Sequence, residues 1–198
     1  MPRPAYSQDQ RAAIEARIRA AALELFGRDG YRGVSLRAIA KAMGWSAPAL
    51  YRYYDNKAAL LAAIRAEGFR NLGHRLRTAR AVPESPPQVA RAGMLAYLDF
   101  AREEPELFRL TFELDQGLFA EYPEVVRERA LAFAEAEGIA QDLLTEAGVA
   151  GNPNQLAHLM WISVHGLAAL ELAHLLDMGQ DFETLVEPVV QTLLRGTT

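Results

Sequence analysis

Apolar residues recur at intervals of three and four along almost the whole chain, the period with which an α-helix buries one face. Ile14, Ile18 and Leu25 belong to the first such stripe, and Arg11 and Arg28 lie off it. No stretch alternates apolar and polar residues while being rich in Val, Ile and Thr, so no strand is predicted. The sequence therefore predicts an all-α fold.

The clearest break in the helical pattern is Val-Pro-Glu-Ser-Pro-Pro at 82–87. Another strong signal is Asn152-Pro153 with Gln155, because Asn caps helices and Pro favours the first helical position. Gly179 and Asp181 mark the end of the helix that starts there and the cap of the next one. The predicted helices after residue 34 are 35–43, 47–54, 56–80, 87–103, 105–114, 122–147, 153–178 and 182–195.

Charge changes sign at the same break. Residues 1–80 contain 15 Lys and Arg against six Asp and Glu, whereas residues 81–198 contain six against 19. A division of this size predicts that the first part meets a polyanion and the second does not. The chain has no cysteine, which excludes disulfide scaffolds, thiolate metal sites and cysteine nucleophiles.

Two short helices joined by a tight turn are predicted within this basic part, at 35–54. Leu36, Ile39 and Met43 are spaced to share one buried face, and Arg37 lies on another. Gly44 supplies the positive φ that a tight turn between helices often requires. Such a pair in a basic segment is typical of a helix-turn-helix.

The second short helix has the chemistry of a DNA-reading element. Ala47, Pro48 and Ala49 are small, so the backbone can approach base edges in the major groove, and Ser46 is placed to cap the helix. An exposed Tyr-Arg-Tyr run is unusual for a face that meets only water. The side chains suited to hydrogen-bond phosphates are Ser35, Tyr51, Tyr53 and Lys57.

Residues 11–67 resemble the TetR (tetracycline-repressor) family of transcription regulators. The resemblance implies a three-helix DNA-binding head, predicted over 8–67 with its motif at 35–54, and repression as the usual mode. It also implies a DNA role for each matching position, with Arg37, Ala47, Pro48, Ala49 and Arg52 near bases and Ser35, Tyr51, Tyr53 and Lys57 on phosphates. The residues that carry it include Ala21–Phe26, Gly30-Tyr31, Val34-Ser35, Ile39-Ala40, Gly44-Trp45-Ser46, Leu50-Tyr51 and Asn56–Leu61.

The rest of the chain, residues 82–196, is predicted to be a helical effector-binding and dimerisation domain. Trp161, His165 and Gly166 are similar to the Trp-His-Gly signature of one TetR subgroup. The family resemblance implies a small-molecule pocket here, and we expect a mostly apolar effector. The alternative that the aromatic residues are only core stays open. The predicted pocket residues are Met94, Tyr97, Phe100, Phe108, Phe112, Phe119, Trp161 and His165.

The helix at 153–178 is apolar nearly all round, so we expect it to be buried against a second subunit as well as its own core. Together with 182–195 it would form the contact of a homodimer that binds a palindromic operator. A monomer with a fully internal helix is the alternative. The predicted interface residues are Leu167, Leu170, Ala173, Val186, Val189, Val190 and Leu193.

Two other classes of protein are alternatives to a ligand-responsive regulator. Glu171 and His174 have the Glu-x-x-His spacing of di-iron bundles, but no second copy exists in the sequence. The other rival is a DNA-bound scaffold without an effector. We predict a regulator that is not an enzyme, with no cofactor and no metal. Because His158, His165 and Glu171 interrupt the best membrane candidate, we expect a cytoplasmic protein without a membrane partner.

Overall fold

The computed structural model describes residues 7–112, 121–176 and 179–195. Within those ranges all regular secondary structure is helical, which confirms the all-α prediction. The helices are α1 (Gln8–Asp29), α2 (Leu36–Ala42), α3 (Ala47–Tyr51), α4 (Lys57–Arg80), α5 (Pro86–Glu103), α6 (Pro105–Phe112), α7 (Pro123–Ala147), α8 (Pro153–Leu172) and α9 (Phe182–Arg195).

Side-chain caps fix the starts of the long helices. Asn56 accepts a hydrogen bond from the amide of Ala59 at 2.8 Å and starts α4. Asn152 accepts from the amides of Asn154 and Gln155 at 3.0 and 3.3 Å, ahead of Pro153 in the first turn of α8. The predicted start of α8 is therefore confirmed.

The predicted end of α8 at residue 178 is wrong, because the helix ends at Leu172. His174 follows in the left-handed conformation at φ 55°, and the amide of Leu175 bonds back to the carbonyl of Leu170 at 2.9 Å. This is the hydrogen-bond pattern that glycine usually closes. Arg109 of α6 donates to the carbonyl of Leu172 at 3.0 Å, so a contact distant in sequence satisfies one of the freed acceptors.

Helix α3 is also shorter than the predicted 47–54, since it ends at Tyr51. The amides of Tyr53 and Tyr54 both bond to the carbonyl of Leu50, at 2.9 and 3.3 Å, which turns the chain towards α4. Tyr54 is buried at this turn.

Helix α4 joins the two parts of the molecule and has buried residues along most of its length, from Leu60 to Ala79. It packs closely on α7 at Gly73, where an added Cβ would lie 3.3 Å from the Cα of Ala132. Residues 68–81, which lie between the two predicted domains, therefore contribute to the C-terminal unit. Ion pairs along the same contact are Arg70–Glu124, Arg77–Glu135 and Arg80–Asp142.

Candidate nucleic-acid interface and internal cavity

The turn between α2 and α3 has the geometry expected from its glycine. Gly44 has φ 70°. Its amide bonds to the carbonyl of Lys41 at 3.0 Å, and the amide of Trp45 bonds to the carbonyl of Ala40 at 2.8 Å. This paired arrangement closes the end of α2 and starts α3 at a fixed angle. Helix α3 is thereby held as a helix-turn-helix element.

The inner and outer faces of this element differ as the spacing predicts. Leu36, Ile39 and Leu50 are fully or almost fully buried, whereas Pro48 and Arg52 are exposed. Tyr51, Arg37 and Ser46 are exposed too, and Ala47 and Ala49 are half-buried. The outward face of α3 is thus small and apolar at its start and carries a tyrosine and an arginine at its end.

Two serines stand at the helix starts. Ser35 accepts a hydrogen bond from the amide of Ala38 at 3.2 Å and caps α2, which leaves its hydroxyl proton available to an acceptor outside. Ser46 occupies the cap position of α3, but its side chain makes no capping hydrogen bond.

Tyr53 lies against the rest of the head. Its ring is 6.0 Å from that of Trp45, and the guanidinium of Arg11 stands 5.6 Å from its centroid. Arg11 and Trp45 are not among the residues predicted to form this surface. Arg11 lies outside the apolar stripe of α1, and nothing in this pattern indicates that its side chain will contact a tyrosine 42 positions later.

Lys57 has a structural partner that its sequence position did not reveal. Its ammonium donates to the backbone carbonyl of Tyr31, in the turn between α1 and α2, and lies 6.0 Å from the ring centre of Phe26. Partial burial lowers the pKa of this lysine. The ammonium therefore ties α4 to the α1–α2 turn, and its predicted phosphate contact stays a prediction.

Charge on the head is distributed unevenly between paired and unpaired cations. Arg37, Lys41 and Arg52 are exposed, and no carboxylate of the described residues lies within ion-pair distance of them. The arginines near the end of α4 are instead paired with acidic residues of α7. Part of the positive charge of residues 1–80 is thus neutralised by ion pairs within the chain. The cations without such partners include those on the α2–α3 surface.

Two contacts connect the head to the helices behind it. Arg19 of α1 donates to the hydroxyl of Tyr54 at 3.2 Å and pairs with Glu67 of α4. The side chain of Glu106, at the start of α6, passes close to Gly27 of α1, where an added Cβ would lie 3.0 Å from it. Movement of α4 or α6 would therefore shift α1 of the head through these contacts.

The C-terminal unit has a partly open, mostly apolar cavity of about 450 Å³ between α4, α5, α6, α7 and α8. This volume lies within the range of about 300–1,000 Å³ that is usual for small-molecule sites. Alanines on α7 leave much of the space. The lining residues are Phe69, Leu72, Leu76, Ala90, Gly93, Met94, Tyr97, Phe112, Arg129, Ala130, Ala132, Phe133, Ala136, Ile139, Ala157, His158, Met160, Trp161 and Val164.

Four of the predicted pocket residues line this cavity: Met94, Tyr97, Phe112 and Trp161. Phe100 and Phe108 do not line it, because their side chains are 0% exposed in the core. Their rings pack on each other at 5.8 Å, as ordinary core aromatics do. Phe119 lies outside the described residues.

His165, the remaining predicted pocket residue, does not line the cavity but contacts Tyr97, which does. Trp161 donates its ring N–H to the hydroxyl of Tyr97 at 3.1 Å, and this hydroxyl lies 2.8 Å from Nδ1 of His165. Burial raises the pKa of Tyr97, so the hydroxyl keeps its proton. The hydroxyl thus accepts from Trp161 and is hydrogen-bonded to His165, which fixes the three rings relative to one another.

Two polar residues that were not predicted as pocket residues also line the cavity. His158 donates from Nδ1 to the carbonyl of Asn154 at 2.8 Å, and its ring lies 4.6 Å from that of Phe133. Arg129 of α7 is exposed at the cavity surface. The signal for Arg129 was present, because it is spaced three, four and seven residues before three other cavity-lining residues of α7, Ala132, Phe133 and Ala136.

The predicted dimer contact is altered by the structure. Leu167 and Val190 are buried in the core of the protomer, which leaves them almost no surface for a second copy. Leu170 and Ala173 are exposed, and Val186, Val189 and Leu193 are half-buried. Sequence reasoning missed Leu159 and Ile162, which are 50% and 63% exposed and continue the stripe of Leu170 along α8.

The Glu171–His174 pair, on which the metal-enzyme alternative rests, does not lie within one helix. Glu171 is helical, but the left-handed conformation of His174 takes it off the face that a Glu-x-x-His motif requires. Within the described ranges, no group of three or more His, Asp or Glu side chains could hold a metal ion. None of the helices described is long and apolar enough for a membrane span.

Two family models match separate parts of the chain. Residues 18–64 match the family of bacterial regulatory proteins, tetR family. Residues 90–193, more than half of the chain, match the tetracyclin repressor-like C-terminal domain. Neither description names a Trp-His-Gly subgroup, so that assignment stays a prediction.

Individual relatives agree with these matches. The HTH-type transcriptional activator FasR of Mycolicibacterium smegmatis is 33% identical over 95 residues, which are 48% of this chain and 43% of FasR. A Rhodococcus sp. RHA1 protein of unknown function has a TM-score of 0.80 at 24% identity, over 99% of this chain and 98% of its own. The fatty acid degradation regulator FadR of Bacillus halodurans has a TM-score of 0.74 at 16% identity, over 96% and 97%. The chain belongs to the TetR family of DNA-binding transcription regulators, which are not enzymes.

Proposed function

We propose that the protein is a repressor that binds a palindromic operator as a homodimer and is released by a small, mostly apolar effector. The observation that carries the proposal is that one helix, α4, both holds the helix-turn-helix and walls an apolar cavity. An effector that binds two positions of α4 with different affinity would change the spacing of the two heads.

The DNA contact in this proposal is made by the outward face of α3 and the start of α2. Pro48 and its alanine neighbours approach base edges, and Arg37 and Arg52 read bases. Ser35, Tyr51 and Tyr53 hold phosphates. The proposal is supported by the exposure of Arg37 and Arg52 and by the absence of a carboxylate partner for either among the described residues.

The dimer is supported by the apolar stripe on α8. Leu159, Ile162 and Leu170 are exposed in one protomer, and an added Cβ at Gly166, on the same face, would meet no atom within 4 Å. A stripe of this kind, with an open glycine in its middle, permits close approach of the same helix from a second copy. An isologous contact would present the two heads with two-fold symmetry, which matches a palindrome.

The effector is supported by the cavity itself. Small-molecule sites are usually concave and mostly apolar, with a few polar groups that fix the orientation of the ligand. A DNA-bound scaffold without an effector would have no use for a cavity of about 450 Å³. FadR, which shares the fold, is named a regulator of fatty acid degradation, and an aliphatic effector suits the lining here.

The first experiment selects bound sequences from a random duplex library and then measures affinity by gel shift. Selected sites should be palindromic. Arg37→Ala should lose discrimination at one base position of each half-site, by about 1–3 kcal/mol, because a bidentate contact to guanine is removed. Arg127→Ala, which removes an exposed arginine of α7, is the control and should leave specificity unchanged. Equal loss on all sequences would assign Arg37 to a phosphate.

The second experiment tests the effector and the sign of regulation. Apolar compounds that raise the melting temperature are added to the protein–operator complex and to cells with a reporter gene behind the operator. The proposal expects release of DNA and increased expression. FasR is named an activator, and tighter DNA binding with effector, or expression lost when the protein is deleted, would show that this chain acts in that sense. DNA affinity that no compound changes would favour the scaffold.

A further inference from the structure

The apolar cavity has a guanidinium at its wall. Arg129 lies on the face of α7 that also carries Phe133 and Ala136 into the cavity. Most other lining side chains have no polar atom. Those that do, Tyr97, Trp161 and His158, already have hydrogen-bond partners. Arg129 is therefore the lining residue with the charge and the donors to select a ligand group.

The acidic residues around Arg129 are committed to other arginines. Glu128, its neighbour in sequence, pairs with Arg127 at 2.8 Å and with Arg70 at 3.5 Å. Glu124 also pairs with Arg70, at 2.8 Å. Across the described part of the chain, no carboxylate lies within ion-pair distance of Arg129. A cation at an apolar surface without a counter-ion is a favourable place for an anion.

A second guanidinium lies next to the lining of the cavity. Arg65 of α4 is fully buried, and its guanidinium lies 5.7 Å from the ring centre of Phe69, which lines the cavity. Burial, and then the positive charge of Arg129, lower the pKa of Arg65 to about 10. An anion beside Arg129 would relieve this repulsion across the contact between α4 and α7.

The parallel packing of α4 and α7 shows which end of the cavity is charged. Gly73 of α4 lies opposite Ala132, and Gly138 lies opposite Arg80. Arg129 therefore faces an earlier part of α4 than Gly73 does, on the side nearer the head. The opposite end is walled by Leu76, Ala90 and Ile139, which are apolar. The cavity is thus charged towards the head and apolar away from it.

We propose that the effector is an amphipathic anion, with its carboxylate or phosphate on Arg129 and its apolar body in the cavity. This inference rests on the proposed effector function and names the ligand class of that site. It narrows the expectation of a mostly apolar effector by adding one anionic group, which the sequence did not indicate because Arg129 had not been placed at the cavity. The anion would bridge α7 to the part of α4 nearest the head.

The test uses three probes with the same alkyl chain: dodecanoate, its methyl ester and dodecyl phosphate. Their dissociation constants for the full-length protein are measured by calorimetry below their micelle concentrations. A charge-assisted hydrogen bond should make at least one anion bind about 10- to 100-fold more tightly than the ester. Comparing the two anions identifies the preferred group.

The variants separate charge from shape. Arg129→Gln should reduce the affinity of the preferred anion to that of the ester and leave the affinity for the ester within about twofold, because it removes the charge only. Arg129→Lys should retain part of the preference, since the positive charge remains. Arg127→Gln removes an arginine two positions away that does not line the cavity, and it should retain the full preference. Melting temperatures and ester affinity verify that each variant is folded.

Failure of the inference and failure of the effector proposal give different results. If ester and anions bind alike, or if Arg129→Gln weakens all three probes equally, the cavity takes a neutral ligand and the anion site is wrong. If the ester binds and the anions do not, the inference is likewise overturned. If no probe of any charge binds or alters the operator complex, the effector proposal falls, and the anion site falls with it.

Discussion

The head and the C-terminal unit build their sites over very different distances in the sequence. The helix-turn-helix surface lies within residues 35–57, and its geometry depends on one turn closed by bonds between neighbouring residues. The cavity is assembled from side chains between Phe69 and Val164 on five helices. Local rules are therefore sufficient for the first site, whereas the second depends on which helices cross and on how closely they approach.

The two regions also differ in what their polar groups do. In the head, Arg37 and Arg52 point outward and have no carboxylate partner among the described residues, as a surface for a polyanion requires. In the C-terminal unit, arginines and carboxylates join helices to each other, as Arg91 of α5 and Glu187 of α9 do at 2.7 Å. In both regions the candidates for a ligand contact are therefore the arginines without a carboxylate partner among the described residues, whereas paired arginines such as Arg19 join helices.

The largest expected effect separates assembly from the fold of the head. Ile162→Asp places a carboxylate on the most exposed apolar position of α8. In an isologous dimer the substitution occurs twice, and burying either unpaired charge is unfavourable. Light scattering should show monomers, and operator affinity should fall by about 10²–10⁴-fold because the two heads are no longer linked. Helix content by circular dichroism should be unchanged.

The control for that variant is Val126→Asp, on α7. Val126 is 41% exposed and lies outside the α8 stripe. It introduces the same charge at a similar apolar position, and it should leave a dimer that binds DNA normally. Ile162→Asp protein that remains dimeric would assign the contact to another surface, and the exposed stripe would need a different partner.

Prediction from sequence succeeds where the determinants are local. The caps at Asn152 and the positive φ of Gly44 follow from residue chemistry alone, and the structure has both. The end of α8 does not follow in this way, because His174 takes the left-handed conformation next to a carbonyl that Arg109 satisfies from another helix. A sequence pattern contains no record of that neighbour.

The same limit explains the cavity residues. Phe108 and Phe112 are four residues apart on α6 and have equal apolar character, yet only Phe112 reaches the cavity. Which ring meets open space depends on α7, where small residues such as Ala132 and Ala136 leave it unfilled. Periodicity identifies a buried face, but it does not say which part of that face is left without a partner.

The next largest effect tests the junction between the two regions. An added Cβ at Gly68 of α4 would lie 1.9 Å from the hydroxyl of Thr111, a buried side chain that donates to the carbonyl of Leu107. Gly68→Ala must therefore separate α4 from α6, and overpacking of this kind lowers the free energy of unfolding by about 1–3 kcal/mol. Chemical denaturation measures it.

Gly138→Ala is the matched control, since it adds the same methyl group within α7. The nearest atoms there belong to the end of the Arg80 side chain, which can move aside. Its stability should stay within about 0.5 kcal/mol of the parent. If the two variants are equally stable, the contact between α4 and α6 is looser than the structure has it, and α6 is a poor route from cavity to head.

The smallest effect concerns Lys57, where a structural and a DNA-binding role meet in one side chain. Lys57→Ala removes the hydrogen bond to the carbonyl of Tyr31, so the free energy of unfolding should fall by about 1 kcal/mol. If the ammonium also holds a phosphate, affinity should fall on every sequence and the slope of log affinity against log salt should decrease by about one. Lys41→Ala, which removes an exposed lysine of α2, should leave stability unchanged. A loss of stability with an unchanged salt slope would show that Lys57 only ties α4 to the α1–α2 turn, because a phosphate contact cannot be removed without releasing fewer counter-ions.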